Sequence, residues 1–347
     1  MNVLLAMSGG IDSSVAALSL LRENAAVRGI FLKMHDKHVT EEERVQEICD
    51  VLGIPLRTLD VRDLFSDRIL QPFLEEYGRG FTPNPCVLCN AEVKFAVLFR
   101  FAHLENADYV ATGHYATCAV VSGDVGIFRG TDEKKDQSYM LYRLRKEWLP
   151  SLLFPLGTQH KRDVVRISQA HFGNLFSSVK ESQDICFLPS GTLRNYLEKA
   201  LSEMPDGEIV SLDGKTLGRH GGLFRYTIGQ REGLGLSGGP WFVVAVDAMA
   251  NKVVVGERKD LDVSVIQCTR SNWLVSAPER HEPHCAQFRY RCRPVRCTFT
   301  LHADDHFVVT PEDPVEGVAP GQSLVLYQGD RLLGGGIIEK TVRRNRS

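Results

Sequence analysis

The sequence predicts an α/β chain in three parts: a doubly wound parallel-sheet domain, a small central domain and a C-terminal antiparallel β-barrel. Three observations predict it. Strand-like and helix-like segments alternate through the first 190 residues, the pattern of an open parallel sheet covered by helices on both faces. From about residue 205 the chain is dense in glycine and turn signals. Beyond about residue 260, short strand-like runs are joined by tight turns, as in a small barrel. The expected boundaries are 1–195, 196–260 and 261–347.

The elements follow in order. NVLLAM (2–7) is a short apolar run that reads as a buried strand, and VAALSLLREN (15–24) has helical spacing. VRGIFLKM (27–34), EEERVQEICDVLG (41–53) and IPLRTLDV (54–61) repeat the strand, helix, strand order. The helical run FSDRILQPFLEEYG leads to the loop PNPCVLCN (83–90), a helix from Ala91 to about Glu105 and the strand DYVATGHYA. GEIVSLDGKTLGRHGGLFRYTIGQREGLGL reads as the small central domain, and CTFTLHADDHFVVT and QSLVLYQGDRLLGGGIIEKTV as barrel strands.

With 347 residues, 43% of them hydrophobic, the chain can bury more than one core. No stretch approaches the ~18 apolar residues of a membrane span, and MNVLLAMSGG has no basic leader, so a cytoplasmic protein without a membrane partner is expected. Nine cysteines at irregular spacings argue against a secreted disulfide framework and make close pairs candidates for metal, redox or nucleophilic chemistry. A net charge of -2 means that a polyanion must be held by local patches. Cys49, Cys118 and Cys268 lie on helical or strand-like runs and read as packing; Cys285, Cys292 and Cys297 lack zinc-finger spacing.

AMSGGIDSS (6–14) lies between the first strand and the first helix. Gly9 and Gly10 let backbone N–H groups approach an anion, Ser8, Ser13 and Ser14 add hydroxyls, and the helix start adds a favourable dipole. The motif has neither the Lys-Ser/Thr of a Walker loop nor the spacing of a dinucleotide loop. SGGIDS resembles the pyrophosphatase loop of the N-type ATP pyrophosphatases, which cleave ATP between the α and β phosphates. GFTPNPCVLCN, VATGHYA, KDQSYMLYRL, SQDICF, YTIGQREGLG and PGQSLVLY with GGGII resemble, in family order, landmarks of the tRNA-specific 2-thiouridylases.

That resemblance implies ATP-dependent 2-thiolation of the wobble uridine of tRNA, with an ATP pyrophosphatase domain first and a tRNA-clasping barrel last. It implies that Ala6, Met7, Ser8, Gly9, Gly10, Ile11, Asp12 and Ser13, with Leu32 and Gly113, surround ATP; from its place at the helix start, Asp12 is a candidate either to cap that helix or to help hold Mg2+. Ala6 and Leu32 stand where the family often has glycine and methionine. Cys89 matches the nucleophile and Cys186 the cysteine that takes up sulfur as a persulfide, which implies persulfide and disulfide chemistry. Asn84, Pro85, Cys86, His114, Lys135, Asp136, Gln137, Arg289, Tyr290 and Gln322 fall where the family touches tRNA. The sulfur donor would be a sulfide or persulfide source, such as a relay protein or a cysteine desulfurase.

The chemistry needs these groups together. Uracil C2 is a poor electrophile until its oxygen is adenylated; a sulfur nucleophile can then displace AMP, with water kept out. A thiolate attacks, so a cation, a metal or a helix N-terminus beside Cys89 is expected. RYRCRPVR (289–296) carries four arginines, and the tail VRRNRS three more, suited to RNA phosphates and bases.

Cys86 departs from the family, which usually has aspartate three residues before the nucleophile. Three readings stay open: a structural zinc site, a thiol relay, or a [4Fe-4S] cluster on Cys86, Cys89 and Cys186. Two other functions also remain: an ATP pyrophosphatase acting on a small metabolite, and an RNA-binding iron-sulfur protein.

Overall fold

A computed structural model describes residues 1–36, 38–176, 185–188, 192–276, 283–302 and 305–343, and side chains at 38–40 and 174 are left aside. Residues 182–184 of SQDICF and the arginines at 344 and 346 lie outside the described residues.

Strands β1 (Asn2–Ala6), β2 (Ala26–Lys33) and β3 (Leu56–Asp60) alternate with helices α1 (Ile11–Arg22) and α2 (His38–Leu52). The helical stretch that follows is α3 (Arg62–Phe65), a π turn (Ser66–Leu70) and α4 (Gln71–Gly78). Next come α5 (Pro85–Cys89), a second π turn (Asn90–Phe95) and α6 (Ala96–Leu104), then β4 (Tyr109–Ala111). A hairpin of β5 (Ala116–Val121) and β6 (Asp124–Arg129) precedes β7 (Leu152–Leu153), α7 (Lys161–Phe172) and α8 (Leu193–Ala200).

The first sheet has the order β3-β2-β1-β4-β7, and all its pairings are parallel. Along β1, Val3 and Leu5 enter one core with Val15, Ala16 and Leu20 of α1, while Leu4 enters another with Phe95 and Leu98. A strand buried on both faces has no polar alternation, and NVLLA shows none. The order in which strands are added reverses between β1 and β4, so the loops after these two parallel strands flank the crevice where open α/β sheets bind ligands.

The central sheet, order β10-β11-β8-β9, contains β8 (Gly207–Ser211), β9 (Thr216–His220), β10 (Phe242–Asp247) and β11 (Lys252–Gly256) around Ile209, Val243, Val253 and Val255. The barrel is formed by β12 (Val263–Trp273), β13 (His284–Gln287), β14 (Val295–Leu301), β15 (Phe307–Pro311), β16 (Ser323–Gln328) and β17 (Arg331–Arg343). It closes through antiparallel pairing of β12 with β17. Both the parallel sheet and the antiparallel barrel are as the sequence predicts.

Three local expectations change. The helix expected from Val15 starts at Ile11, so Asp12, Ser13 and Ser14 form its first turn. The helix expected from Ala91 starts at Pro85, because Asn84 Oδ1 accepts the Cys86 N–H at 3.1 Å and proline is favoured at a helix start. The cysteine loop is therefore a helix, and Cys89 is not at a helix N-terminus. The strand after Asp108 is short, and the β5–β6 hairpin beyond it extends the barrel sheet through Arg331 and Phe128.

That hairpin ties the first domain to the barrel. On β16, Leu324 and Leu326 face the barrel core while Val325 and Tyr327 join the core of the first domain. Between them lies a hydrogen-bonded network: Tyr139 donates to Ser323 O at 2.8 Å, and Asn272 donates to Tyr142 O at 2.6 Å. No helix among the described residues is long and apolar enough to cross a membrane.

Candidate active site

The loop after β1 turns sharply at Gly9, whose φ of +72° is the left-handed conformation that favours glycine, and Arg44 Nε donates to its carbonyl at 3.0 Å. Ser13 Oγ accepts the Ser8 N–H at 3.1 Å and donates to Gly10 O at 3.1 Å, closing the loop on itself. Leu32 is buried on β2, two residues beyond Ile30, the register partner of Ala6.

A cation that the sequence reading missed completes this half. Lys161, the first residue of α7, donates to both Asp12 oxygens, at 2.7 and 2.8 Å, and Tyr115 O–H donates to Asp12 Oδ1 at 2.7 Å. Asp132 holds the start of α7 by accepting the Lys161 N–H at 2.9 Å. No spacing in TQHKRDVV marks this lysine, since its partner is 149 residues away.

The segment Thr112-Gly113-His114-Tyr115 bridges to the other half. A Cβ on Gly113 would meet the Asp12 carbonyl carbon at 3.0 Å and the Ser13 nitrogen at 3.1 Å. Gly113→Ala is therefore expected to push the first turn of α1 away, weakening ATP binding by about tenfold and destabilising the fold by ~1–3 kcal/mol. ATP titration and a thermal melt check both. His114 lies beside Phe95 and Phe154 and accepts or donates at 2.7 Å with Thr112. Burial first, and the Lys94 charge second, lower its pKa to about 3, so the ring is neutral at neutral pH.

Cys86 and Cys89 stand at i and i+3 on one helix face, and Cys186 interacts electrostatically with both. Cys89 is buried and donates to Met34 Sδ at 3.9 Å, beyond the end of β2; Cys186 is exposed. Desolvation raises all three thiols, Cys89 to about 12 and Cys186 despite its exposed position, and the Lys94 charge opposes it in each. A neighbouring cation is thus present as expected, but burial outweighs it. For Lys94 burial acts downward and the charges that Cys89, Cys186 and Cys86 carry when ionised act upward, the net direction being up.

The family profile described as "tRNA methyl transferase HUP domain" matches residues 1–190, followed by a "tRNA methyl transferase PRC-barrel domain" over 194–257 and an "Aminomethyltransferase beta-barrel domain" over 263–338. The tRNA-specific 2-thiouridylase MnmA of Syntrophotalea carbinolica is 40% identical, covering 97% of this chain and 98% of its own. The proteins of that name from Carboxydothermus hydrogenoformans and Gloeothece citriformis are 41% and 42% identical, again over 97% of this chain, with 97% and 99% of their own covered. The chain belongs to the tRNA-specific 2-thiouridylase family.

In this thiouridylase chain, the residues expected to touch tRNA divide into two groups. Arg289 is exposed in the turn between β13 and β14, and Arg291 lies over the Tyr290 ring at 5.1 Å. Tyr290 packs on Tyr139, with ring centroids 6.0 Å apart, and lies within electrostatic range of Cys86. Asn84 and Pro85 begin the cysteine helix. The other group also has internal work. Asp136 pairs with Arg129 at 2.9 Å and accepts from Gly130 and Ser138; Gln137 accepts the Tyr115 N–H at 3.0 Å; Gln322 donates to Thr82 O at 2.5 Å. Lys135 donates its N–H to Asp132 O at 2.9 Å, in the turn that holds α7.

Proposed function

We propose that the chain thiolates C2 of the wobble uridine of tRNA, using ATP to adenylate O2 and a sulfur anion to displace AMP. The observation that carries this reading is the single segment 112–115: Gly113 and Tyr115 touch the phosphate-loop helix, and His114 faces Lys94 beside the three thiols. One short segment thus links the groups that this reading assigns to the two half-reactions. The names of the curated relatives support the same reaction, and the thiols favour sulfur over the methyl group named in the family description.

Uracil O2 attacks the α-phosphorus, the bond to the β-phosphate oxygen breaks, and pyrophosphate leaves. The backbone N–H groups of residues 9–10 and the Lys161 ammonium, aimed by Asp12 and Tyr115, would stabilise the departing charge. Both Asp12 oxygens already accept hydrogen bonds, so Mg2+ would be held mainly by phosphate oxygens and water, with Asp12 as the carboxylate at hand. Sulfur then forms its bond to C2 as the C2–O2 bond breaks, and AMP departs with that oxygen. The arginine turn and the segments 84–86 and 135–137 would position the anticodon, flipping the base at a cost of a few kcal/mol.

Among the described residues, no group of three His, Cys, Asp or Glu side chains converges on one ion, as a structural zinc would need. A cubane differs, since each thiolate binds its own iron, and the donor chemistry of Cys86, Cys89 and Cys186 fits one. Such a [4Fe-4S] cluster would supply an iron site for hydrosulfide; without it, Cys186 would carry the persulfide. The sulfur itself would come from a relay protein or a desulfurase.

The test is product analysis with tRNA, ATP and sulfide under anaerobic conditions. AMP, pyrophosphate and thiolated tRNA in equal amounts are expected, with little pyrophosphate when tRNA is omitted. ADP and phosphate as products, or stimulation by a small metabolite instead of tRNA, would overturn the reading.

A further inference from the structure

Lys94 has no task in the scheme above. It lies in the π turn Asn90–Phe95 that starts directly after Cys89. A π turn bonds residue i to i+5, so it brings position 94 above position 89, where an unbroken α-helix would rotate it away; such single turns are frequent at functional sites. Lys94 lies within electrostatic range of Cys86, Cys89, Cys186 and His114. Among the described residues no carboxylate forms an ion pair with it. Asn90, in the same turn, is buried with its Oδ1 unpartnered while its Nδ2 donates to Met140 O at 3.1 Å. A cation facing three soft thiols, in a setting where burial penalises bare charge, is placed for an anion that arrives with the substrates.

Resting on the thiolation reading, we propose that Lys94 binds the sulfur anion that attacks uracil C2, whether hydrosulfide or the terminal sulfur of a Cys186 persulfide. The anion brings the electron pair for the new S–C2 bond, and AMP takes away the pair of the C2–O2 bond. Hydrosulfide then loses its proton to leave the thiocarbonyl. In the persulfide case Cys89 thiolate attacks Cys186 sulfur, freeing the thiocarbonyl and forming a Cys89–Cys186 disulfide, which a thiol reductant must reset. A compact ammonium suits a single-atom anion better than the planar fork of arginine.

The experiment compares the full-length parent with Lys94→Met and Lys94→Arg in single-turnover reactions, one arm supplied with sodium sulfide and one with cysteine persulfide. Pyrophosphate release and thiolated tRNA are measured separately. Lys94→Met should lower thiolation by about a hundredfold, the scale of losing one charge-stabilising donor, while the pyrophosphate burst stays within about threefold; Lys94→Arg should recover part of the loss. A fall in only one arm still supports the assignment and names the sulfur source. Thiolation within threefold of the parent in both arms would overturn it, as would parallel loss of the burst, which would place Lys94 at adenylation. If Lys94→Met does not fold, Lys94→Arg carries the same burst-against-thiolation comparison. Alkylation of the exposed Cys186 gives a second readout: the parent should favour anionic iodoacetate over neutral iodoacetamide relative to a small thiol, and absence of that preference counts against the proposal. A parent that forms no thiolated tRNA at all would instead refute the thiolation reading itself.

Discussion

Cys186→Ser is expected to reduce thiolated tRNA by at least about a thousandfold, the scale seen when a covalent nucleophile is removed, with ATP and tRNA binding within about twofold of the parent. Cys186 is the exposed member of the three thiols, so in the proposed scheme it would take up sulfur from a donor, while Cys89 is buried against Met34. Serine is close in size but holds its proton at neutral pH and is a poor soft ligand, so the loss reports chemistry rather than folding. Cys86 separates the two sulfur carriers. If a cluster operates, Cys86→Ser loses iron absorbance and activity together, because the helix face then presents one thiolate in place of two. If the persulfide relay operates, Cys86→Ser keeps activity without iron, and Cys86→Asp, which restores the family's usual carboxylate, is active as well. Full activity of Cys186→Ser would remove Cys186 from either scheme.

Asp12→Asn should lower tRNA-dependent pyrophosphate release by about 10²–10³-fold, with tRNA affinity unchanged. Asparagine keeps an acceptor for Tyr115 O–H but loses the charge that holds Lys161 over the first turn of α1. Lys161→Met should fall by a similar factor, since the carboxylate acts through the lysine it aims. The double variant should then be little worse than either single one, the non-additivity of groups that act as a unit. Initial rates for the four proteins at saturating ATP make the cycle. Losses that multiply would mean that Asp12 acts independently of Lys161, for example on Mg2+.

Much of this molecule is legible in local sequence. The parallel sheet follows from apolar strand runs separated by helical periodicity, and β1 shows no polar alternation because both its faces are buried. The phosphate loop is readable because a left-handed turn favours glycine at position 9 and the helix start offers N–H groups. The cysteine segment was harder. Its two prolines predict a loop, yet Asn84 caps a helix at that point and proline fits its first turn, so the placement of both thiols on one helix face appears only in the structure.

The fold class, the glycine loop before α1 and the candidate cysteines 86, 89 and 186 are readable from sequence, because each depends on residues adjacent in the chain or on motifs with fixed spacing. Tertiary structure alone decided which distant groups meet them. Lys161 reaches Asp12 across 149 residues, and Cys186 comes to a helix that begins near residue 85. The β5–β6 hairpin leaves the first domain to extend the barrel, and Tyr290 of the barrel packs on Tyr139 of the first domain. Such contacts leave no periodicity in the sequence: long-range packing of buried faces selects them, and a single lysine or tyrosine carries no local mark of the partner that the fold will bring to it.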